Sequence, residues 1–185
     1  MKYHAPLLRP VRLACFAGCL FGASLPAMAA NGNDSASAAA EVSVSDNKIG
    51  NALKDLTFQN AGKVTPKTEV PYYICLYSAS WCSACRAEMP SIVRTYNSKI
   101  AKDKNVELIL FNRDKTAEAG AAWAKQMKMK FPVVSKDDGS KVPGYGNKKG
   151  VLPYVYIVDK DGNEVASGSP GQILKDYKKY CKPSQ

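Results

Sequence analysis

The sequence predicts an α/β domain with a central sheet covered by helices, and three observations carry that prediction. Short aliphatic and aromatic runs over residues 72–77, 106–111 and 151–158 read as buried strands. Stretches with three- and four-residue apolar spacing, residues 83–100, 116–129 and 173–180, read as helices between and after them. The last strand turns through Asp159-Lys160-Asp161-Gly162 into residues 163–166, a hairpin signature. The order is then strand–helix–strand–helix–strand–strand–helix.

Taken in order, the chain opens on a leader. Lys2, Arg9 and Arg12 make a basic start, residues 13–25 are apolar or small, and Ala27-Met28-Ala29 is an Ala-x-Ala cleavage signal. Residues 1–29 therefore read as a signal peptide, with Ala30 the first mature residue and the protein exported to the periplasm. The apolar run falls short of the about 20 residues that a membrane span takes. A second reading stays open. Phe16-Ala17-Gly18-Cys19 resembles a bacterial lipoprotein box, which would make the protein lipid-anchored through Cys19. Residues 30–46 are rich in Asn, Ser, Ala and Gly without apolar periodicity, and read as a flexible linker. Residues 47–185 remain as one domain of roughly 140 residues, enough for its own core.

Within the domain, residues 49–53 fit a short helix. Residues 56–59 and 63–65, joined by Asn60-Ala61-Gly62, read as a small hairpin. The first buried strand runs through Ser78-Ala79-Ser80 into Trp81-Cys82-Ser83-Ala84-Cys85. In the helix that follows, Met89, Ile92, Val93, Tyr96 and Ile100 mark a core face, and Pro90 inside it predicts a kink. The next helix places Ala117, Gly120, Ala121, Ala124 and Met127 on its packing side. Phe131-Pro132-Val133-Val134 is a short extended piece, and residues 135–150 are loop-like.

The cysteine pair thus falls where a strand ends and a helix begins, and that placing gives it chemistry. The thiolate is the nucleophile in disulfide exchange, and a free thiol with a pKa of about 8.5 is mostly protonated at neutral pH. A helix N-terminus offers unpaired N–H groups and partial positive charge, and thiolates held there show pKa values of roughly 3.5–7.5. Cys82 is the candidate nucleophile. Cys85, one turn later, can attack the mixed disulfide that results.

The other residues narrow the chemistry. The chain has six cysteines; Cys15 and Cys19 leave with a cleaved leader, so Cys75 and Cys181 accompany the pair. These two either bridge, as cysteines of exported proteins often do, or stay apart with Cys75 a small hydrophobe in its strand, the preferred reading. The one histidine, His4, lies in the leader, which removes Ser-His and Cys-His machinery from the mature chain. A zinc site usually takes four Cys or His ligands, so no metal is expected, and no cofactor beyond the thiols. The net charge is +10, and without Lys2, Arg9 and Arg12 the basic residues fall from 26 to 23 against 16 acidic, or +7. The lysines are scattered with acids among them, so no nucleic acid is expected as a partner.

Trp81-Cys82-Ser83-Ala84-Cys85-Arg86, Pro90, and Gly150-Val151-Leu152-Pro153 followed by a strand and hairpin resemble the thioredoxin superfamily. Ser78-Ala79-Ser80-Trp81-Cys82 and Arg86-Ala87-Glu88-Met89-Pro90 are most similar to its TlpA/ResA and tryparedoxin/nucleoredoxin branches. The resemblance covers residues 53–180. It implies a thioredoxin-like fold, a central mixed β-sheet flanked by helices. It makes Cys82 the attacking and Cys85 the resolving cysteine of a redox-active disulfide. Pro153 matches a cis-proline that faces the cysteines, Leu152 offers backbone to a substrate strand, and Trp81 flanks the nucleophile. Glu88 matches a glutamate with a proton-handling role, against the bland reading of a solvated helix residue. Arg86 reads as a surface charge. The chain departs from the family in two places. Ser83-Ala84 replaces Gly-Pro or Pro-Pro between the cysteines, so the redox potential, roughly −270 to −120 mV across such proteins, is not inherited. The buried acid of thioredoxin itself, six residues before the first cysteine, is Leu76 here.

The expectation is an exported thiol–disulfide oxidoreductase acting on disulfide-containing or dithiol protein substrates. A net reductant is favoured, supplied by an electron donor such as a membrane thiol transporter. A dithiol oxidase or isomerase is the runner-up, though no dimerisation domain is visible and a monomer is expected. A peroxidase of the peroxiredoxin type is disfavoured, since Trp-Cys-x-x-Cys stands where that type has Thr-x-x-Cys. A binding module with a structural disulfide is the alternative from another class.

Overall fold

The structure, a computed structural model, describes residues 46–60, 62 and 64–182. The expectations for the leader, for Cys19 and for all of the linker but Asp46 lie outside the described residues. The elements in order are α1 (Lys48–Lys54), β1 (Tyr72–Ser78), α2 (Ser83–Ser98), β2 (Val106–Asn112) and α3 (Ala117–Gln126). Then come β3 (Val133–Val134), α4 (Lys136–Gly139), β4 (Tyr154–Asp159), β5 (Glu164–Gly168) and α5 (Pro170–Lys175). Turns of 3-10 helix at Ile100–Lys102 and Tyr177–Lys179 follow α2 and α5.

The strands form one mixed sheet in the order β3-β2-β1-β4-β5. β1 runs parallel to β2 and antiparallel to β4, so it is the central strand and its side chains are covered on both faces. Successive side chains point to opposite faces. Ile74 and Leu76 join Met89 and Ile92 of α2, Trp123 of α3, and Ile173 and Leu174 of α5. Tyr73, Cys75 and Tyr77 join Ile49 and Leu53 of α1 with Phe111, Val142 and Tyr156. This alternation separates the two remaining cysteines. Cys75 and Cys181 are both free and buried, in clusters on opposite sides of the sheet, so the bridge between them does not form.

Several boundaries differ from those the sequence suggests. The hairpin at 56–65 is absent: the described residues between α1 and β1 hold no strand. Their polar groups are taken elsewhere. Gln59 N donates to Val133 O at 2.8 Å, and the Asn60 amide donates to Phe131 O at 2.9 Å while accepting from Val133 N at 3.2 Å. Further on, Lys67 N donates to the buried Glu107 carboxylate at 2.8 Å, and its ammonium donates to the carbonyls of Ile100 and Asp103, each at 2.8 Å, and of Val106. α3 stops before Met127, with Lys128 at φ 53° closing it. Its buried residues are Gly120, Trp123 and Ala124, while Ala117 is exposed, so the tryptophan joins Gly120 and Ala124 in anchoring this helix and Ala117 does not. α2 continues through Pro90 to Ser98. β4 starts at Tyr154, because Pro153 has no N–H to give a strand ladder. The loop 135–150 includes one helical turn, α4, where Ser135 Oγ accepts from Asp138 N at 3.1 Å.

Candidate active site

Strand β1 is anchored by pairing on both sides, so the chain leaves it at Ser78 in a fixed direction and turns through Ala79, Ser80 and Trp81. Cys82 is the N-cap of α2, in the extended region at φ −81° and ψ 117°. Its Sγ accepts from Cys85 N at 3.2 Å, so an orphan N–H of the helix end points at the sulfur. That contact and the aligned helix dipole both favour negative charge on Cys82 when the pair is reduced. The two cysteines are joined in a disulfide, with Cα atoms 5.2 Å apart. They differ in access. Cys85 is fully buried among Leu76, Met89 and Val155, while Cys82 is half-buried at the surface.

Leu152 reaches Cys82 from a distant part of the chain. The Leu152–Pro153 bond is cis, and the Leu152 carbonyl oxygen lies 3.8 Å from Cys82 Sγ. Trp81 is 60% exposed beside it, its indole N–H donating to Arg113 O at 3.4 Å. Val151, just before Leu152, is 53% exposed. Trp81 and Val151 thus give the segments flanking Cys82 and Leu152 exposed apolar side chains, and only the first was singled out from sequence. Leu76 lies buried in the cluster that holds Cys85. Glu88 is half-buried and lines the groove between α2 and α5 with Ser91, Pro170 and Leu174. Arg86 is exposed and its guanidinium donates to Ser80 O at 3.2 Å, so this surface charge also ties down the loop before Cys82. Among the described residues no group of three or more His, Cys, Asp or Glu side chains is placed to hold a metal ion.

Sequence reading passed over Asp114. It is 3% exposed just past the end of β2, and its Oδ1 accepts from Ser80 N at 2.9 Å and Ser80 Oγ at 2.8 Å. Its own N–H donates to Asn112 Oδ1 at 3.2 Å, and Asn112 Nδ2 donates to Gln59 Oε1 at 2.9 Å. A methyl at Gly120 would run into both Asn112 Nδ2 and Gln59 Oε1, so the network explains that glycine. The other Asp114 oxygen, Oδ2, is buried and has no partner among the described residues. The available signal was an acid two residues past a mostly apolar strand. We expect Asp114→Ala to lose about 1.5–3 kcal/mol, the range for a charged hydrogen bond. Asp114→Asn, which keeps the acceptor for Ser80, should lose less than half as much. Urea unfolding of both variants checks this; equal losses would remove the loop-anchoring role.

Burial pushes the thiols of Cys75 and Cys181 up to about 12, with Asp103 adding to the rise at Cys181. Both stay protonated through neutral and mildly alkaline pH. In reduced native protein, iodoacetamide is therefore expected to label Cys82 and to spare these two until denaturant is added. Peptide mass spectrometry reads the result, and native labelling of Cys75 would contradict the burial.

The sheet order, the flanking helices and the cysteine pair at the head of α2 define a thioredoxin-fold protein. A solved thiol:disulfide interchange protein from Bacteroides sp. superposes with TM-score 0.50 at 24% identity, over 63% of this chain and 76% of that one, which shows the shared fold. Residues 49–166 match the AhpC/TSA family, and the chain belongs to it. A thiol-disulfide oxidoreductase ResA of Bacillus thuringiensis subsp. konkukian is 32% identical over 103 residues, 56% of this chain and 57% of the relative. The Bacillus anthracis protein of that name is 36% identical over 104 residues, 56% of this chain and 57% of its own. The chain spans a little over half the length of the curated relatives it matches.

Proposed function

We propose that this protein is an exported thiol–disulfide oxidoreductase that reduces disulfides in other proteins. The observation that carries the reading is the asymmetry of the pair: an accessible sulfur, N–H-capped at a helix start, bonded to a fully buried one. In the reduced protein the Cys82 thiolate attacks a substrate disulfide. One substrate S–S bond breaks, its leaving thiolate takes a proton, and a mixed disulfide forms on Cys82. Cys85, as thiolate, then attacks Cys82 Sγ, reforming the internal disulfide and releasing the second substrate thiol. Two electrons have moved from the Cys82–Cys85 dithiol to the substrate.

Cys85 must lose a proton for the second step, and Leu76 offers no base. Glu88, three residues on, or water takes it. The Leu152 backbone and the exposed Trp81 and Val151 suit an extended, partly apolar substrate segment. A dithiol donor outside the protein, such as a membrane thiol transporter, restores the reduced state. The Ala27-Met28-Ala29 leader supports export, with the Cys19 lipid anchor as the alternative route to the same side of the membrane. The protein works as a monomer, and nucleic acid has no part in the reaction.

The deciding measurement is the potential of the Cys82–Cys85 pair in glutathione or dithiothreitol buffers, with Cys82→Ser as control. A value near about −250 mV with quick exchange supports a reductant, and one near about −120 mV turns the reading to an oxidase. A pair locked below about −300 mV that does not exchange is a structural disulfide, and the enzymatic reading fails.

A further inference from the structure

Along the chain the lysines are dispersed, but the fold gathers six of them. Lys99, Lys102 and Lys104, from the end of α2 and its 3-10 turn, face Lys175, Lys178 and Lys179, from the end of α5 and its turn, around one groove of about 880 Å³. All six are exposed. The groove's acids do not balance them. Asp103 is engaged internally, Oδ1 accepting from Asn105 N at 3.0 Å and Oδ2 from Tyr177 OH at 2.9 Å. Asp176 pairs with Lys179 at 3.2 Å, and among the described residues the other five lysines have no ion pair. Lys99 and Lys175 sit at helix C-termini, where any helix favours a cation. Lys102 and Lys178 sit in the single 3-10 turns that follow those helices, and Lys104 lies beyond any helix and has no such reason to be there.

We infer that this end of the domain docks on an anionic phospholipid bilayer. Three features favour a bilayer. The groove's cations are all lysines, compact hydrated charges on flexible stems that suit spread phosphate charge, with no arginine to read a single phosphate in bidentate fashion. Clusters of this size recognise anionic lipid surfaces. Tyr180, 37% exposed between Lys179 and Cys181, supplies an aromatic of the kind that settles at headgroup depth. The placement also leaves the chemistry free. α2 has 16 residues between the cysteine end and Lys99, a separation of about 24 Å. A domain seated on its lysines turns Cys82 away from the lipid.

Vesicle flotation of the full chain tests this without any redox assay, so its failure is separate from failure of the oxidoreductase reading. Each lysine at an anionic surface contributes about fivefold in binding. Lys102→Gln, Lys104→Gln and Lys178→Gln together should therefore weaken binding to vesicles of phosphatidylcholine with about 30% phosphatidylglycerol by roughly a hundredfold. A control of equal charge loss, Lys115→Gln, Lys136→Gln and Lys149→Gln, should change it far less. Binding should vanish on pure phosphatidylcholine and in about 0.5 M salt. Equal losses in both triple variants, or equal binding to neutral vesicles, would overturn the proposal. Tight binding of soluble polyphosphate with none to vesicles would overturn it in favour of a free anion.

Discussion

Cys82→Ser is expected to lower disulfide exchange by more than about a thousandfold, because it removes the nucleophile itself. Cys85→Ser should behave differently. It keeps the attacking thiol and loses the resolving one, so a single attack proceeds and the mixed disulfide accumulates. The structure gives the direction of this asymmetry. Cys82 is half-buried, has Cys85 N–H on its sulfur and faces the Leu152 carbonyl, while Cys85 is fully enclosed by the core. A substrate disulfide can reach only the first. Incubating each variant with a disulfide-bonded protein and resolving the products on non-reducing gels reads the outcome. A stable adduct on Cys85→Ser and none on Cys82→Ser is the expected pattern. Adducts on the Cys82→Ser protein instead would reverse the assignment.

What made this site legible was local. A buried strand, a tight turn and an amphipathic helix are all contiguous in residues 72–100, so the sulfur at the helix start followed from periodicity and helix-end chemistry alone. Pro153 lies 71 positions from Cys82 in the sequence, and no local pattern joins them; only resemblance put them together. Asp114 shows the opposite limit. Its partners are Ser80 and Asn112, and the strand pairing that sets Ser78 beside Asn112 is what brings them within reach. A single-sequence reading sees an acid after a strand and has no means to know which loop it meets. The missing hairpin at 56–65 fails for a related reason. Asn60 is expected only to turn the chain between residues 56–59 and 63–65, whereas its amide bonds to Phe131 and Val133, about seventy residues away. Hydrophobic period identifies elements; side-chain hydrogen bonds over long separations decide which loops rest on them. The lysine groove belongs to the same category, since its two halves come from the ends of helices that become neighbours only when α2 packs beside α5.

Tyr77→Ala is expected to cost about 3–5 kcal/mol, the range for emptying a large aromatic site in a core. The ring is fully buried and central to the aromatic cluster on its face of the sheet. It stacks on Phe111 at 5.2 Å between centroids, meets Tyr156 edge-on at 5.7 Å and lies 5.8 Å from Tyr145. Its hydroxyl accepts from Gly146 N at 2.7 Å, and the Tyr156 hydroxyl accepts from Lys149 N at 3.1 Å. Burial pushes the Tyr77 hydroxyl above its ordinary range, so it stays neutral and keeps that role at any physiological pH. The two tyrosines therefore tie the segment that leads to Leu152 and Pro153 onto the same sheet that carries Cys82. Tyr77→Phe separates the two contributions. It retains the packing and leaves the Gly146 N–H without its acceptor, a loss of about 1 kcal/mol. Urea unfolding gives the two stabilities, and amide hydrogen exchange at Gly146 reports the local opening. Faster exchange at Gly146 in the phenylalanine variant, with global stability nearly kept, is the expected signature. Unchanged exchange there would mean that the hydroxyl does not hold the segment, and that packing alone positions the Leu152 carbonyl over Cys82.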